Sequence, residues 1–178
     1  SDTLNIKEHL STFLQEIGSF ETVYLNAGKL GKIKEMSQLE LSDLKDVLEL
    51  NVYANKELLD ILSTLNVKNI IAISSGAAVN GSKGWGAYSL SKSSLNMLIN
   101  LYAKEMLNTK LLCVAPGVIK TPMTDFIRNE VDDTVYTSAK ILKEGDIQTP
   151  KEAAIRLSNM IEKIKEFESG SFLDVRNI

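Results

Sequence analysis

The sequence predicts an α/β fold in which a parallel sheet is flanked by helices. Short apolar runs alternate with longer segments of helical periodicity along the whole chain. Strands that alternate with helices in this way are typical of a parallel sheet. A length of 178 residues suits a single domain that can bury a sizeable core.

Each predicted element is marked by its own pattern. The short apolar runs that predict strands cover residues 22–25, 70–73, 111–115 and 170–175. Apolar stripes of helical spacing cover residues 5–17, 40–65 and 87–107, and Gly18 closes the first of them. A last helix is predicted to begin at Thr149-Pro150-Lys151-Glu152, a capping box with proline at the first helical position.

One segment between the predicted elements lacks a clear pattern. Residues 122–148 are polar, and we predict an irregular segment there. Met123, Phe126 and Ile127 are its apolar members, and we expect them to belong to a lid over a substrate.

Composition and charge exclude several classes of function. The net charge of −3 gives no basic footprint for nucleic acid or for an anionic membrane surface. No apolar run approaches the roughly 20 residues of a membrane span. His9 is the only histidine, and no histidine or cysteine cluster could share a metal with it, so no metal site is predicted. The single Cys113 is predicted to be buried, and a reducing cytoplasm is the natural setting.

The most informative stretch runs from residue 69 to residue 92. Its apolar start is a predicted strand that ends in Ser74 and Ser75, and a loop rich in glycine and serine leads to a helix. On that helix Tyr88 and Lys92 are four residues apart, so their side chains emerge on one face. A hydroxyl, a phenol and an ammonium are therefore predicted to meet in one cleft, although a Y-x-x-x-K pair alone is common on helices.

This trio suits the reduction of a carbonyl group by hydride transfer. A free phenol has a pKa of about 10, and a neighbouring cation would move that pKa down toward neutrality. Tyr88 would then deliver a proton while Ser75 donates a hydrogen bond to the carbonyl oxygen on which negative charge develops.

Three further patterns do not indicate a function when each is taken alone. Asn26-Ala27-Gly28 follows a strand and is either a simple turn or part of a ligand site. Asn51 lies on the inner side of a predicted helix, where such a residue is usually hydrogen-bonded to backbone. Trp85 is either an apolar wall for an aromatic substrate or an anchor for its own loop.

These motifs together resemble the short-chain dehydrogenase/reductase family over essentially the whole chain. Ser75, Tyr88 and Lys92 have the family's spacing, and Asn26-Ala27-Gly28, Asn51 and the run from Pro116 to Thr121 occur in the family's order. The segments K-G-W-G-A-Y and L-C-V-A-P-G-V-I-K-T-P-M are most similar to those of the branch of sepiapterin and benzil reductases. The resemblance implies a doubly wound, Rossmann-type sheet and NAD(P)H-dependent reduction of a ketone or diketone.

The resemblance also assigns roles to residues. Ser75, Tyr88 and Lys92 would be catalytic, and Asn51 would interrupt its helix and hold a water that relays protons to Lys92. The residues matched to cofactor contacts are Asp2, Asn26, Ala27, Gly28, Tyr88, Lys92, Pro116, Gly117, Ile119 and Thr121. NADP(H) is favoured by the branch alone, and NAD(H) stays possible.

Two more expectations come from the same resemblance. The helix at 87–107 would form the interface of a homodimer, as it does in the family. Asp174 matches an acidic residue that contacts the pterin in sepiapterin reductases, although a surface carboxylate is the plainer interpretation.

The chain departs from the family in one respect. The glycine-rich turn T-G-x-x-x-G-x-G, which carries the pyrophosphate site at a helix start, does not occur in it. Residues 1–178 are therefore expected to form a single, incomplete dinucleotide-binding domain with the strand at 22–25 as an open edge. Weak binding of the cofactor by this chain follows from that expectation.

Two other functions compete with the reductase. A non-catalytic fragment could act as a binding or dimerisation module, as the missing turn would favour. A sugar-nucleotide epimerase or dehydratase also uses Y-x-x-x-K with a nicotinamide, but such enzymes usually carry a larger carboxyl-terminal substrate domain.

Overall fold

The structure, a computed structural model, describes residues 5–178. In chain order its helices and strands are α1 (Ile6–Ile17), β1 (Ser19–Leu25), α2 (Leu41–Leu48), α3 (Ala54–Leu62), β2 (Asn66–Ile73), α4 (Gly86–Glu105), β3 (Lys110–Ala115), α5 (Pro122–Glu130), α6 (Thr137–Glu144), α7 (Pro150–Glu162) and β4 (Phe172–Asp174). Short 3₁₀ turns lie at Met36–Gln38, Gly76–Ala78, Ile164–Glu166 and Val175–Asn177.

The four described strands form one parallel sheet in the order β1-β2-β3-β4. Val23 pairs with Ile70, and Ile70 in turn pairs with Leu111. Among the described strands β1 pairs with β2 alone, as expected of the edge strand predicted at 22–25.

Helices cover both faces of this sheet. Alternate residues of a strand point to opposite faces, so Ile70 and Ile71 belong to different cores. The first core joins α3 and α4 to the sheet; its buried members include Leu59, Leu95, Ile99, Leu111 and Cys113. The second core packs α7 on the sheet; its buried members are Ile71, Leu112, Val114, Met160 and Ile164. The predicted α/β class with a doubly wound parallel sheet is confirmed.

The structure also confirms smaller predictions. Thr149 caps α7 and accepts a hydrogen bond from the backbone N–H of Glu152, with Pro150 at the first helical position. Cys113 is a buried free thiol, and His9 is exposed. Within residues 5–178, no helix combines the length and the apolar character that crossing a bilayer would require.

Two predicted elements differ from the structure. The segment at 122–148, predicted to be irregular, contains α5 and α6, because Thr121 caps α5 and each short helix has an apolar side against the cleft. The helix predicted at 40–65 from periodicity is divided by a π-helical segment at Glu49–Tyr53 into α2 and α3, and the interruption at Asn51 that the resemblance implied is confirmed. Such π segments are rare and are frequent at functional sites.

Candidate active site

A cleft of about 680 Å³ opens at the carboxyl ends of β2 and β3. Ligands of open α/β sheets bind at this edge. Of the predicted site residues, the ones lining the cleft are Asn26, Gly28, Ser75, Tyr88, Lys92, Pro116, Gly117, Ile119 and Thr121. Ala27 and Asn51 do not line it, and Asp2 lies outside the described residues.

Ser75 and Tyr88 meet across this cleft. Ser75 follows the end of β2 in extended backbone, and its Oγ accepts a hydrogen bond of 3.2 Å from the N–H of Ala77. That contact leaves the hydroxyl proton of Ser75 free to be donated elsewhere. Tyr88 lies in the first turn of α4, where its phenol is within hydrogen-bonding reach of Ser75.

Burial raises the pKa of Tyr88 above its usual value, and the hydrogen bond with Ser75 opposes this shift. A lowered pKa was predicted for Tyr88 from its neighbour Lys92, and the net shift in the structure has the opposite sign. The physical reason is that a buried phenolate loses its hydration, while the Lys92 ammonium lies 5.7 Å from the centre of the ring.

Lys92 is buried beneath the cleft, one helical turn after Tyr88. Its Nζ donates a hydrogen bond of 2.8 Å to the carbonyl oxygen of Ile73, at the end of β2. Burial lowers the pKa of Lys92 to about 8, and the Cys113 thiol acts weakly in the opposite direction. At neutral pH Lys92 is therefore mostly charged but close to its titration range.

Asn51 lies in the π segment and is fully buried. Its Oδ1 accepts from the N–H of Lys29 at 2.9 Å, and its Nδ2 donates to the carbonyl of Lys29 at 2.9 Å and to Ser91 Oγ at 2.8 Å. The interpretation that Asn51 is hydrogen-bonded to backbone is thus confirmed, and the water relay stays a prediction. Asn51 joins the loop after β1 to α4.

Gly28 lies directly over Lys92 and Asn51. A methyl group on Gly28 would lie 3.3 Å from Lys92 Nζ and 3.4 Å from Asn51 Oδ1, which is tighter than most contacts of that kind. Glycine therefore keeps open a space above the ammonium that a side chain would fill. The opening beside a buried cation and polar groups fits the ribose of a dinucleotide.

The loop after β3 forms the opposite wall. Gly117 has a φ of +82°, a backbone conformation that favours glycine, and the side chain of Gln148 donates to the carbonyl of Pro116. The hydroxyl of Thr121 caps α5 by accepting from the N–H of Thr124 at 3.3 Å. Ile119 forms a parallel β-bridge with Gln148, and backbone hydrogen bonds of Gln148 hold the loop on both sides of Ile119.

Helices α5 and α6 cover one side of the cleft. Trp85 is buried and meets the ring of Tyr136 edge to face, with ring centres 6.4 Å apart. Trp85 also lines the cleft, so its role as an anchor is confirmed and its role as a wall for an aromatic substrate stays a prediction. Of the predicted lid residues, Met123 and Ile127 line the cleft and Phe126 does not.

Three site residues were not found by sequence reasoning. Ser91 accepts from Asn51 and donates to the Tyr88 carbonyl at 2.7 Å, Gln148 braces the Pro116 loop, and Arg176 lines the cleft from the end of the chain. Ser91 was detectable in principle, because it lies three residues after Tyr88 on the same helix. No local signal marks Gln148 or Arg176.

Asp174, matched to a pterin contact, pairs with Arg176, and the pterin contact stays a prediction. Its carboxylate accepts from Nε of Arg176 at 2.9 Å and from Nη2 at 2.6 Å. The Arg176 guanidinium holds the pKa of Asp174 below its usual value. Asp174 does not line the cleft itself.

Several known proteins are similar to this chain in sequence. A family model described as short chain dehydrogenase matches residues 1–132. An uncharacterized oxidoreductase of Schizosaccharomyces pombe is 29% identical over 85% of this chain and 65% of its own length. Benzil reductase ((S)-benzoin forming) of Bacillus subtilis is 28% identical over 98% of this chain and 79% of its own length. Sepiapterin reductase of Bos taurus is 31% identical over 84% of this chain, which spans 59% of that protein.

Solved structures share the fold. A short chain dehydrogenase family protein from Francisella tularensis superposes with a TM-score of 0.80 at 21% identity, over 97% of this chain and 75% of that one. A short chain dehydrogenase from Escherichia coli complexed with NADPH superposes with a TM-score of 0.70 at 22% identity, over 95% of this chain and 70% of that one. NAD⁺-bound xylitol dehydrogenase superposes with a TM-score of 0.74 at 17% identity, over 97% of this chain and 74% of that one.

Proposed function

The chain belongs to the short-chain dehydrogenase family, and we propose that it reduces the carbonyl group of a ketone or diketone with NAD(P)H. One observation supports the proposal most strongly: Ser75 and Tyr88 face each other in the cleft, with the Lys92 ammonium beneath them. The relatives named benzil reductase ((S)-benzoin forming) and sepiapterin reductase are reductases by name, which supports carbonyl reduction in general.

The hydroxyl groups of Ser75 and Tyr88 have different roles at the carbonyl oxygen of the substrate. Ser75 Oγ already accepts a hydrogen bond from Ala77, so its proton is available for the substrate oxygen. Tyr88 acts as the general acid and delivers its phenolic proton to that oxygen as negative charge develops there. A bound nicotinamide would supply the hydride, which is the chemistry the cofactor contributes.

Lys92 acts on Tyr88 and on the ribose side of the cleft. Its pKa of about 8 keeps it mostly charged at pH 7, and its charge stabilises the phenolate once Tyr88 has given up its proton. Asn51 holds the loop that carries Gly28 in place, and we assign to it the proton relay that would reload Tyr88 through Lys92.

The remaining predicted residues would hold the cofactor. Asn26, Ala27 and Gly28 would border its ribose, and Pro116, Gly117, Ile119 and Thr121 would hold the carboxamide side. Asp2 would lie toward the adenine. We propose NADPH as the working cofactor because the branch of sepiapterin and benzil reductases favours it, with NADH as the alternative.

We further propose a cytoplasmic homodimer. The single cysteine, Cys113, is a buried free thiol, which suits a reducing compartment. The outer face of α4 exposes Leu90, Met97 and Leu101, which a second copy of the chain would cover.

Replacement of Tyr88 by phenylalanine tests the proposed function. Tyr88→Phe removes only the phenolic oxygen, so we expect kcat for benzil reduction to fall by about 10²- to 10⁴-fold, the range for loss of a general acid. Turnover is measured from NADPH absorbance in the full-length protein.

Tyr24→Phe is the matched control, because Tyr24 lies on β1 outside the cleft. We expect it to leave kcat unchanged. A Tyr88→Phe protein that keeps more than about a tenth of the original kcat would contradict the role of Tyr88 as general acid. If neither protein turns over but both self-associate equally, a non-catalytic binding module is the better explanation.

A further inference from the structure

The charged side chains lining the cleft have one sign. Within residues 5–178 they are Lys92 and Arg176, and both are cationic. Lys92 is 3% exposed and donates to the Ile73 carbonyl, so it lies below the cleft surface. The side chain of Arg176 lines the cleft, is 55% exposed and is paired with Asp174.

Arg176 lies beside the groups that would hold the reacting carbonyl. A methyl group on Gly76, the residue after Ser75, would lie 3.9 Å from Nη2 of Arg176. A methyl group on Gly117 would lie 3.6 Å from Cδ of the same side chain. The arginine therefore spans the space between the turn that carries Ser75 and the loop after β3.

Asp174 orients the Arg176 guanidinium but accepts hydrogen bonds from only some of its N–H groups. Nε and Nη2 of Arg176 each donate to the Asp174 carboxylate, which engages one edge of the guanidinium. A guanidinium has five N–H donors, so the edge formed by Nη1 and the second N–H of Nη2 remains for another acceptor. That edge matches a carboxylate in a bidentate arrangement.

We propose that Arg176 binds a carboxylate of the substrate, so that the preferred substrates are ketones that carry an acid group next to the reacting carbonyl, as in α-keto acids. This inference rests on the proposed function and specifies its substrate class. Ser75 would hold the ketone oxygen while Arg176 holds the adjacent carboxylate, and the bonds between two neighbouring carbons fix the distance between these two groups. The reaction stays a carbonyl reduction: hydride goes to the ketone carbon, and the proton of Tyr88 goes to its oxygen.

Two probes of similar shape test the inference. Benzoylformate carries a carboxylate next to its ketone, and its methyl ester carries the same ketone without the charge. We expect the protein to reduce both to the corresponding mandelates with NADPH. For Arg176→Gln, the ratio of kcat/KM for benzoylformate to kcat/KM for the ester should fall by about 10- to 100-fold, the range for one lost charge-assisted hydrogen bond pair.

Two further variants control for charge and folding. Arg176→Lys keeps the charge and loses the planar fork, so it should give a ratio between those of the original protein and Arg176→Gln. Arg156→Gln removes a cation from the exposed side of α7 and should leave the ratio unchanged.

The outcomes separate this inference from the proposed function. An unchanged ratio in Arg176→Gln would overturn the carboxylate site. Equal losses on both substrates with a raised KM for NADPH would overturn it as well, because the anion bound by Arg176 would then be a cofactor phosphate.

If the original protein reduces neither probe, the proposed function fails, and calorimetric binding of benzoylformate decides the inference alone. Binding that weakens at least 10-fold in Arg176→Gln would support the carboxylate site. Unchanged binding, or no binding to the original protein, would overturn it.

Discussion

Lys92 combines burial, a positive charge and a single backbone acceptor. Its pKa of about 8, against 10.5 for a free lysine, means that the folded chain disfavours the charged amine because burial strips its hydration. Between pH 8 and 10.5 the unfolded chain therefore binds more protons at this site than the folded chain. The free energy of unfolding therefore rises with pH through that window. Below pH 8 Lys92 is mostly charged in both states, and the folded chain bears the full free-energy cost of burying that charge.

Lys92→Met removes this dependence. From pH 8 to about pH 10 the unfolding free energy of the original protein should rise by roughly 2–3 kcal/mol relative to Lys92→Met, since one pKa unit corresponds to about 1.4 kcal/mol. Urea unfolding of both proteins at a series of pH values measures the difference, in which the titration of other groups cancels. A difference that stays flat or falls with pH would show that the amine is not buried in its charged form.

The shared position of Ser75, Tyr88 and Lys92 in one cleft could be predicted from the sequence because their spacing is local. Ser75 ends an apolar run, and Tyr88 and Lys92 are one helical turn apart, so a shared cleft follows from the alternation of strand and helix. The pKa of Tyr88 could not be predicted with the right sign. Its shift depends on how deeply the phenol is covered by α5 and α6, and distant parts of the chain determine that coverage.

At the scale of elements, the π segment between α2 and α3 fixes the loop that follows β1. Asn51 satisfies both the N–H and the carbonyl of Lys29 and also reaches Ser91 on α4. Three elements that are distant in sequence are therefore joined by one buried amide. Buried polar groups that lose such partners destabilise the folded chain strongly.

Asn51→Ala should lower the unfolding free energy by roughly 2–4 kcal/mol, because it leaves the two backbone groups of Lys29 without their partner. Asn108→Ala, at an exposed position after α4, is the control and should change stability by less than about 0.5 kcal/mol. Urea unfolding measures both. A loss in Asn51→Ala no larger than that of the control would mean that Lys29 finds other partners at no cost.

Element prediction succeeded where the pattern was long and failed where it was short. The stripe of α4 and the capping box of α7 have clear sequence signals. Helices α5 and α6 have nine and eight residues in a polar stretch, and their apolar sides become evident only against Trp85 and Leu30. The division of the helix at Glu49–Tyr53 depends on the long-range bonds of Asn51, which periodicity does not report.

At the scale of the molecule, the outer face of α4 is the surface on which we propose that a second copy of the chain packs. Leu90, Met97 and Leu101 are 45%, 59% and 53% exposed and recur at helical spacing, and Tyr53 is 49% exposed in the π segment that packs against α4. Full burial of an exposed apolar side chain contributes about 1.5–3 kcal/mol, so covering these half-exposed side chains would contribute roughly half of that each.

The double variant Met97→Glu with Leu101→Glu should therefore convert the proposed dimer to a monomer, because four like charges would meet across the twofold interface. Sedimentation velocity measures the change. Ile155→Glu, at a half-exposed position of α7, is the control and should stay dimeric. A dimer that survives the double variant would place the interface on another surface.

The position of Trp85 makes the cleft accessible to tryptophan fluorescence. It is the single tryptophan of the chain, it lines the cleft, and its indole is shielded from water by Tyr136, which follows α5. Any displacement of α5 and α6 takes Tyr136 away from the indole and admits solvent to it. A red shift in the emission of the unlabelled protein would therefore report movement of α5 and α6 away from Tyr88.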